Sequence, residues 1–192
     1  MRLTQAEIDE LLATRTAHRN TFQDDAVTFL RTSAETGGKY TLVHLVAEPG
    51  AGVPRHYHLH SSEHFEILEG ALTVEVAKQP QVVLPGEKAT APVNTVHRWV
   101  NQGSSRVRAL VEITPASEGF EKGLPILYGL ASDGLSGSNG VPRNPFVTAW
   151  IMELTDMRLP GVSRVAGPVI HALAQRARAR GMDRRLEERY CR

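Results

Sequence analysis

Cysteine is almost missing from this sequence. The single one, Cys191, stands beside the C-terminal end, so no internal disulfide can form and the expected compartment is the cytoplasm. A thiol at that position also lacks the structured electropositive niche that a catalytic cysteine needs. No charge of one sign prevails: 22 Lys and Arg stand against 21 Asp and Glu, a net charge of +1. A chain so balanced has no global field to draw it toward nucleic acid or an anionic membrane. Long apolar runs are missing, which excludes a helical membrane span, and the polar start of the chain lacks the apolar stretch of a signal peptide. No Gly-x-Ser-x-Gly elbow and no phosphate loop occur. The arginines between Arg176 and Arg192 are diluted by Asp183, Glu187 and Glu188, and they read as a solvated helix face rather than a phosphate-tracking stripe.

What the sequence does contain is core material and histidine. Of 192 residues, 41% are hydrophobic and 22% charged, enough apolar surface for one globular domain with appendages. Thr4 to Glu7 form a capping box with Leu3 and Ile8 placed as a staple, and Ile8, Leu11 and Leu12 continue at helical spacing. That pattern predicts a helix from residue 5 to about 18, with His18 a basic residue in its last turn. From Tyr40 to Thr114 short alternating runs are punctuated by Gly, Pro and Asn at intervals of about ten residues, the signature of an antiparallel sandwich or barrel. Residues 116 to 145 hold most of the remaining turn chemistry, including Asp133-Gly134 and the run from Ser136 to Gly140, and read as a loop and connector. Pro145 to Met157 and Val165 to about Arg180 read as helices, with His171 on a helix face.

Eight histidines are present, and four of them, His56, His58, His60 and His64, fall within nine residues. On a strand, His56 and His58 point to one face with Cα atoms ~6.6 Å apart, so both imidazoles can reach one ion. A His-x-His pair alone is weak evidence, because such pairs also serve as surface polar residues. Glu63 follows after four residues, and His97 opens another strand-like run behind the turn signal Pro92-Val93-Asn94. Three imidazoles and a carboxylate suit a divalent transition metal better than calcium or magnesium. His60 reads as a rim residue or as a donor behind the ligands, and His44 as a hydrogen-bonded histidine within a sheet.

These residues resemble the cupin superfamily. Its first motif is matched by Gly50, His56, His58, Glu63 and Gly70, and its second by Gly86, Pro92, Asn94, His97 and Asn101, with every spacing met. Asn94 replaces a glycine, and asparagine is the residue that next best tolerates positive φ. The resemblance spans roughly residues 38 to 116 and implies a small antiparallel jelly-roll barrel, a mainly β fold. It places residues 1–37 as an N-terminal helix and lead-in and residues 117–192 as a loop and helical extension, as in single-domain bacterial metal-binding cupins of the quercetinase-like type. By the same resemblance His56, His58, Glu63 and His97 are the ligands of one divalent transition metal per chain, iron preferred, with manganese, nickel, copper, cobalt or zinc also accommodated.

Strand alternation sets Phe65 and Ile67 on the face of Glu63 and Trp99 on the face of His97, so these three are expected around a hydrophobic substrate that presents one or two oxygens. The resemblance implies an oxygenase acting on an enol or dicarbonyl, with Glu63 as general base. A redox-neutral Lewis-acid isomerase, cyclase or lyase uses the same site, and so does a non-enzymatic sensor. The expected partner is a small molecule, with neither nucleic acid nor membrane, and an open sheet edge favours a homodimer.

Overall fold

The computed structural model describes residues 3–137 and 140–191. Thr4 caps the first helix with the expected box, accepting from the Glu7 amide while Glu7 accepts from the Thr4 amide. This helix, α1 (Gln5–Thr14), is shorter than its periodicity predicts because Arg15 is already extended, and the chain enters a strand, β1 (Ala17–Asn20). His18 therefore does not sit in a helical turn: it lies on β1, edge-on to the Phe29 ring at 6.0 Å between centroids. β1 pairs antiparallel with β2 (Asp25–Arg31), which pairs with β3 (Thr41–Ala47), so the main sheet begins well before residue 38. Between β2 and β3 a single short helical turn, α2 (Ser33–Thr36), is capped by Thr32 and Glu35 and stopped by Gly37 in the left-handed conformation.

The next strands are β4 (Tyr57–His58), β5 (Ser62–Glu69), β6 (Leu72–Val76), β7 (Gln79–Val83), β8 (Lys88–Ala91), β9 (His97–Val100) and β10 (Val107–Thr114). Apart from β4, these join β1, β2 and β3 in one six-stranded sheet of order β1-β2-β3-β10-β5-β8 and a three-stranded sheet of order β7-β6-β9, all pairs antiparallel. Inward residues alternate with outward ones, and the two inner faces share one apolar core that contains Val43, Leu45, Phe65, Ile67, Leu72, Val74 and Trp99. The outer face of the larger sheet is covered by α1, whose Ile8 packs with Leu30 and Leu42. This is the antiparallel barrel with terminal helices that the sequence led us to expect.

Residues 117–132 correct the sequence reading. They are helical, not a loop: α3 (Glu118–Ser132) starts at Ser117, whose side chain accepts from the Phe120 amide. Its glycines, which signal a turn in the sequence, serve packing instead. A Cβ on Gly119 would lie 1.8 Å from the Leu154 carbonyl oxygen, and one on Gly123 would lie 2.2 Å from the Thr155 methyl. α3 faces two ways, giving Phe120, Leu124 and Tyr128 to the barrel core and Ile126 and Leu130 to a second core. That second core is completed by α4 (Pro145–Leu154), α5 (Val162–Ala179) and α6 (Met182–Tyr190). Of the run from Ser136 to Gly140, Ser138 and Asn139 lie outside the described residues; Ser136 and Gly137 pair back onto Pro142 and Val141. Among the described residues no helix is long and apolar enough to cross a membrane.

Candidate metal centre

The donors converge because three strand segments bring them together. His56 and His97 form a reciprocal backbone pair, His56 N–H donating to His97 O at 2.9 Å and His97 N–H to His56 O at 2.8 Å. Their rings are held 4.4 Å apart, with the His58 ring 5.0 Å from His56 and 5.6 Å from His97. Glu63 enters from β5, opposite Ile113 of β10 and Ala91 of β8. All four side chains are buried, and one donor atom from each lies within 4.8 Å of every other. The turn that delivers His97 needs a left-handed residue, and Asn94 supplies it at φ 63°, its amide donating to His58 O at 2.8 Å. The Asn101 side chain pins the far end of the same strand, donating to the Ala47 and Ser105 carbonyls and accepting from the Gly103 amide.

The other ring nitrogens are also accounted for. His56 Nδ1 donates to Pro54 O and His97 Nδ1 to Thr95 O, each at 2.8 Å, which leaves both Nε2 atoms as lone-pair donors. His97 Nε2 is buried with no hydrogen-bond partner, while His58 Nε2 lies 3.1 Å from Glu63 Oε1. An orphaned lone pair inside a closed cluster of this composition fits a divalent transition metal held by His56, His58, Glu63 and His97. The protonation states of His56 and Glu63 favour ligation. Burial pushes the His56 imidazole down to about 4, so it is neutral at physiological pH. Burial would raise Glu63, but the hydrogen bond from His58 and the proximity of His97 overcome it and hold the carboxyl well below its usual range. Burial opposes protonation of His58 too, and Glu63 and Asp156 outweigh it to raise that pKa.

Phe65, Ile67 and Trp99 are packed in the barrel core. A narrow crevice beside His58 and Glu63, with no room for a water molecule, is bordered by Ser61, Ile113, Ser117, Phe120 and Thr155. Three of these come from beyond residue 116, on α3 and at the end of α4, and nothing in their spacing marks them as neighbours of the site. Past α4, β11 (Met157–Arg158) pairs antiparallel with β4, Met157 opposite His58 and Arg158 opposite Tyr57. Of the histidines outside the cluster, His44 is buried, accepts from Arg108 Nε at 3.3 Å and is pushed down to about 4, first by burial and then by the Arg108 charge. His64 turns outward to Thr90 and Ser62, and His171 meets Glu153. His60 is at the rim, its ring 78% exposed beside Asp156.

Residues 43–113 match the family model described as a cupin domain. The alginate biosynthesis protein AlgA of Pseudomonas aeruginosa is 27% identical over 71 residues, a stretch that covers 37% of this chain and 15% of that protein, and AlgA of Pseudomonas putida matches to the same extent. This chain thus aligns with only a small part of its curated relatives. Among solved structures, a sugar phosphate isomerase of the cupin superfamily from Silicibacter pomeroyi aligns with a TM-score of 0.46 at 24% identity, over 54% of this chain and 73% of its own. The polyketide cyclase RemF from Streptomyces resistomycificus aligns with a TM-score of 0.47 at 18% identity, over 59% of this chain and 78% of its own.

Proposed function

From the premise that residues 43–113 form a cupin domain, we propose that this protein is a metal-dependent enzyme, an oxygenase acting on a small, partly hydrophobic substrate that chelates through enol or dicarbonyl oxygens. One observation carries the reading. The four donors converge in a buried cluster in which the outer nitrogens of His56 and His97 are already committed to backbone carbonyls. Ligands fixed in this way keep one tautomer and one orientation, which is the preorganisation a metal centre requires. Iron, manganese, nickel or copper at these ligands supplies Lewis acidity and redox reactivity toward O₂.

The chain's own groups bind, shield and move a proton. Phe120 and Ile113 give the crevice an apolar wall, while Ser61, Ser117 and Thr155 add hydroxyls at its border. The crevice is too tight for a water molecule as it stands, so a compact substrate that points its oxygens toward the ligands has to part these walls. Glu63 borders the crevice and is held ionised, so it is the group that takes a proton from bound substrate. Burial of the site keeps water away from that proton.

The test is elemental analysis of untagged protein purified without chelators, followed by O₂ uptake with a panel of enols and 1,3-dicarbonyls. About one redox-active metal per chain, lost in His97→Ala, together with substrate-dependent O₂ consumption, is the expected result. Stoichiometric zinc with turnover retained under anaerobiosis replaces the oxygenase by a redox-neutral Lewis-acid enzyme. A chain that refuses every added metal overturns the metal centre itself.

A further inference from the structure

The ligand loop is held from outside the barrel. Asp156 follows α4 and sits in the left-handed region at φ 53°. Asp156 Oδ2 accepts from the Leu59 amide at 2.7 Å, from the His60 amide at 2.9 Å and from His60 Nδ1 at 3.1 Å. Those two amides belong to the turn between His58 and Glu63, the only covalent link between these two donors. Immediately after Asp156, Met157 and Arg158 form β11 and pair with β4, the strand of His58 itself. The Asp156 carboxylate and the β11–β4 pairing thus both act on the segment that carries His58. The groups that orient the His56 and His97 rings lie two residues away in sequence; Asp156 lies 98 residues from His58, in the C-terminal extension.

We propose that Asp156 is a positioning residue of the metal centre, its carboxylate fixing the Leu59–His60 turn that follows His58, so that the C-terminal extension completes a site the barrel alone leaves loose. This rests on the metal reading of the preceding section. The physical case is one of convergence. A turn of four residues between two ligands has many conformations, and two hydrogen bonds to adjacent amides select one of them. Selecting it before the metal arrives removes an ordering cost from binding. Groups that orient ligands in this way typically govern affinity by 10- to 100-fold.

The experiment compares the wild-type chain with Asp156→Gly and Asp156→Asn, using Co(II) as the probe, titrated against a competing chelator and followed by its visible absorption. Glycine removes the carboxylate yet adopts the left-handed backbone freely, so its effect is not one of strain. Asparagine keeps an acceptor oxygen and tolerates the same φ. Asp156→Gly is expected to weaken Co(II) at least tenfold and alter the absorption band. Asp156→Asn should bind within about threefold of wild type. In the metal-free protein, the Leu59 and His60 amides of Asp156→Gly should exchange hydrogen at least tenfold faster while the β10 amides do not change, which separates a loosened turn from an unfolded chain. Wild-type affinity and band in Asp156→Gly overturn the proposal, and so does an asparagine variant as weak as glycine, which would show that charge matters and not position. A wild-type chain that binds no Co(II) overturns the metal centre, and the role of Asp156 with it.

Discussion

Replacing Asp25 by asparagine isolates a buried carboxyl that ties the helical extension to the barrel. Asp25 opens β2, is 4% exposed, and accepts through Oδ2 from the hydroxyl of Tyr128 on α3, while its Oδ1 is buried without a partner. Burial raises its pKa from 3.8 to about 6; the Tyr128 hydrogen bond opposes that rise, and nearby Asp24 adds to it. A carboxyl whose pKa is raised on folding binds its proton more tightly in the native state, so stability falls as pH climbs from 3.8 through 6. A shift of about 2 units is worth about 3 kcal/mol in all, and roughly 2 kcal/mol of that falls between pH 4.5 and 8. Asparagine carries no charge at any pH and keeps an oxygen to accept from Tyr128. Urea unfolding of both proteins at steps from pH 4.5 to 8 gives the difference in stability, in which every other titrating group cancels. The advantage of Asp25→Asn over wild type should grow by about 2 kcal/mol across that range. A difference that stays constant with pH would refute the reasoning, because it would mean that Asp25 titrates alike in the folded and unfolded chains.

Two further outcomes follow from packing and polar satisfaction. Gly119→Ala places a methyl 1.8 Å from the Leu154 carbonyl oxygen, so α3 and α4 must separate; a loss of about 3 kcal/mol and a lowered Tm are expected, and an unchanged Tm would show that the two helices do not meet here. Asn101→Ala strips partners from the Ala47 and Ser105 carbonyls and the Gly103 amide, and a loss of about 3 kcal/mol in chemical denaturation is expected, with under 1 kcal/mol counting against this role.

Much of the barrel was legible because its signals are local. Period-two alternation over Ser62–Glu69 and Val107–Thr114 is forced by one buried face, and the observed burial follows it residue by residue. Asn94 was readable as a left-handed residue because few other side chains accept that φ, and its φ of 63° bears this out. Elsewhere local signals misled. Gly119, Gly123, Pro125 and Gly129 have low helix propensity, and α3 forms despite them because close approach to Leu154, Thr155 and Tyr190 recovers the cost. β1 and β2 went unread since β2's partner, β3, lies beyond an intervening helical turn and β1 pairs with β2 alone.

The sequence by itself determined the donor set. His56, His58, Glu63 and His97 are chemically suited to one ion, and strand geometry together with two turns limits how they can be arranged. What only the tertiary structure decided is what stands behind and in front of those donors. Ser117, Phe120 and Thr155 at the crevice, and Asp156 on the ligand loop, reach the site through the docking of α3 and α4. That docking depends on side-chain shape across long sequence separations, where no periodicity or spacing rule operates, so these contacts exist only once the helices have packed.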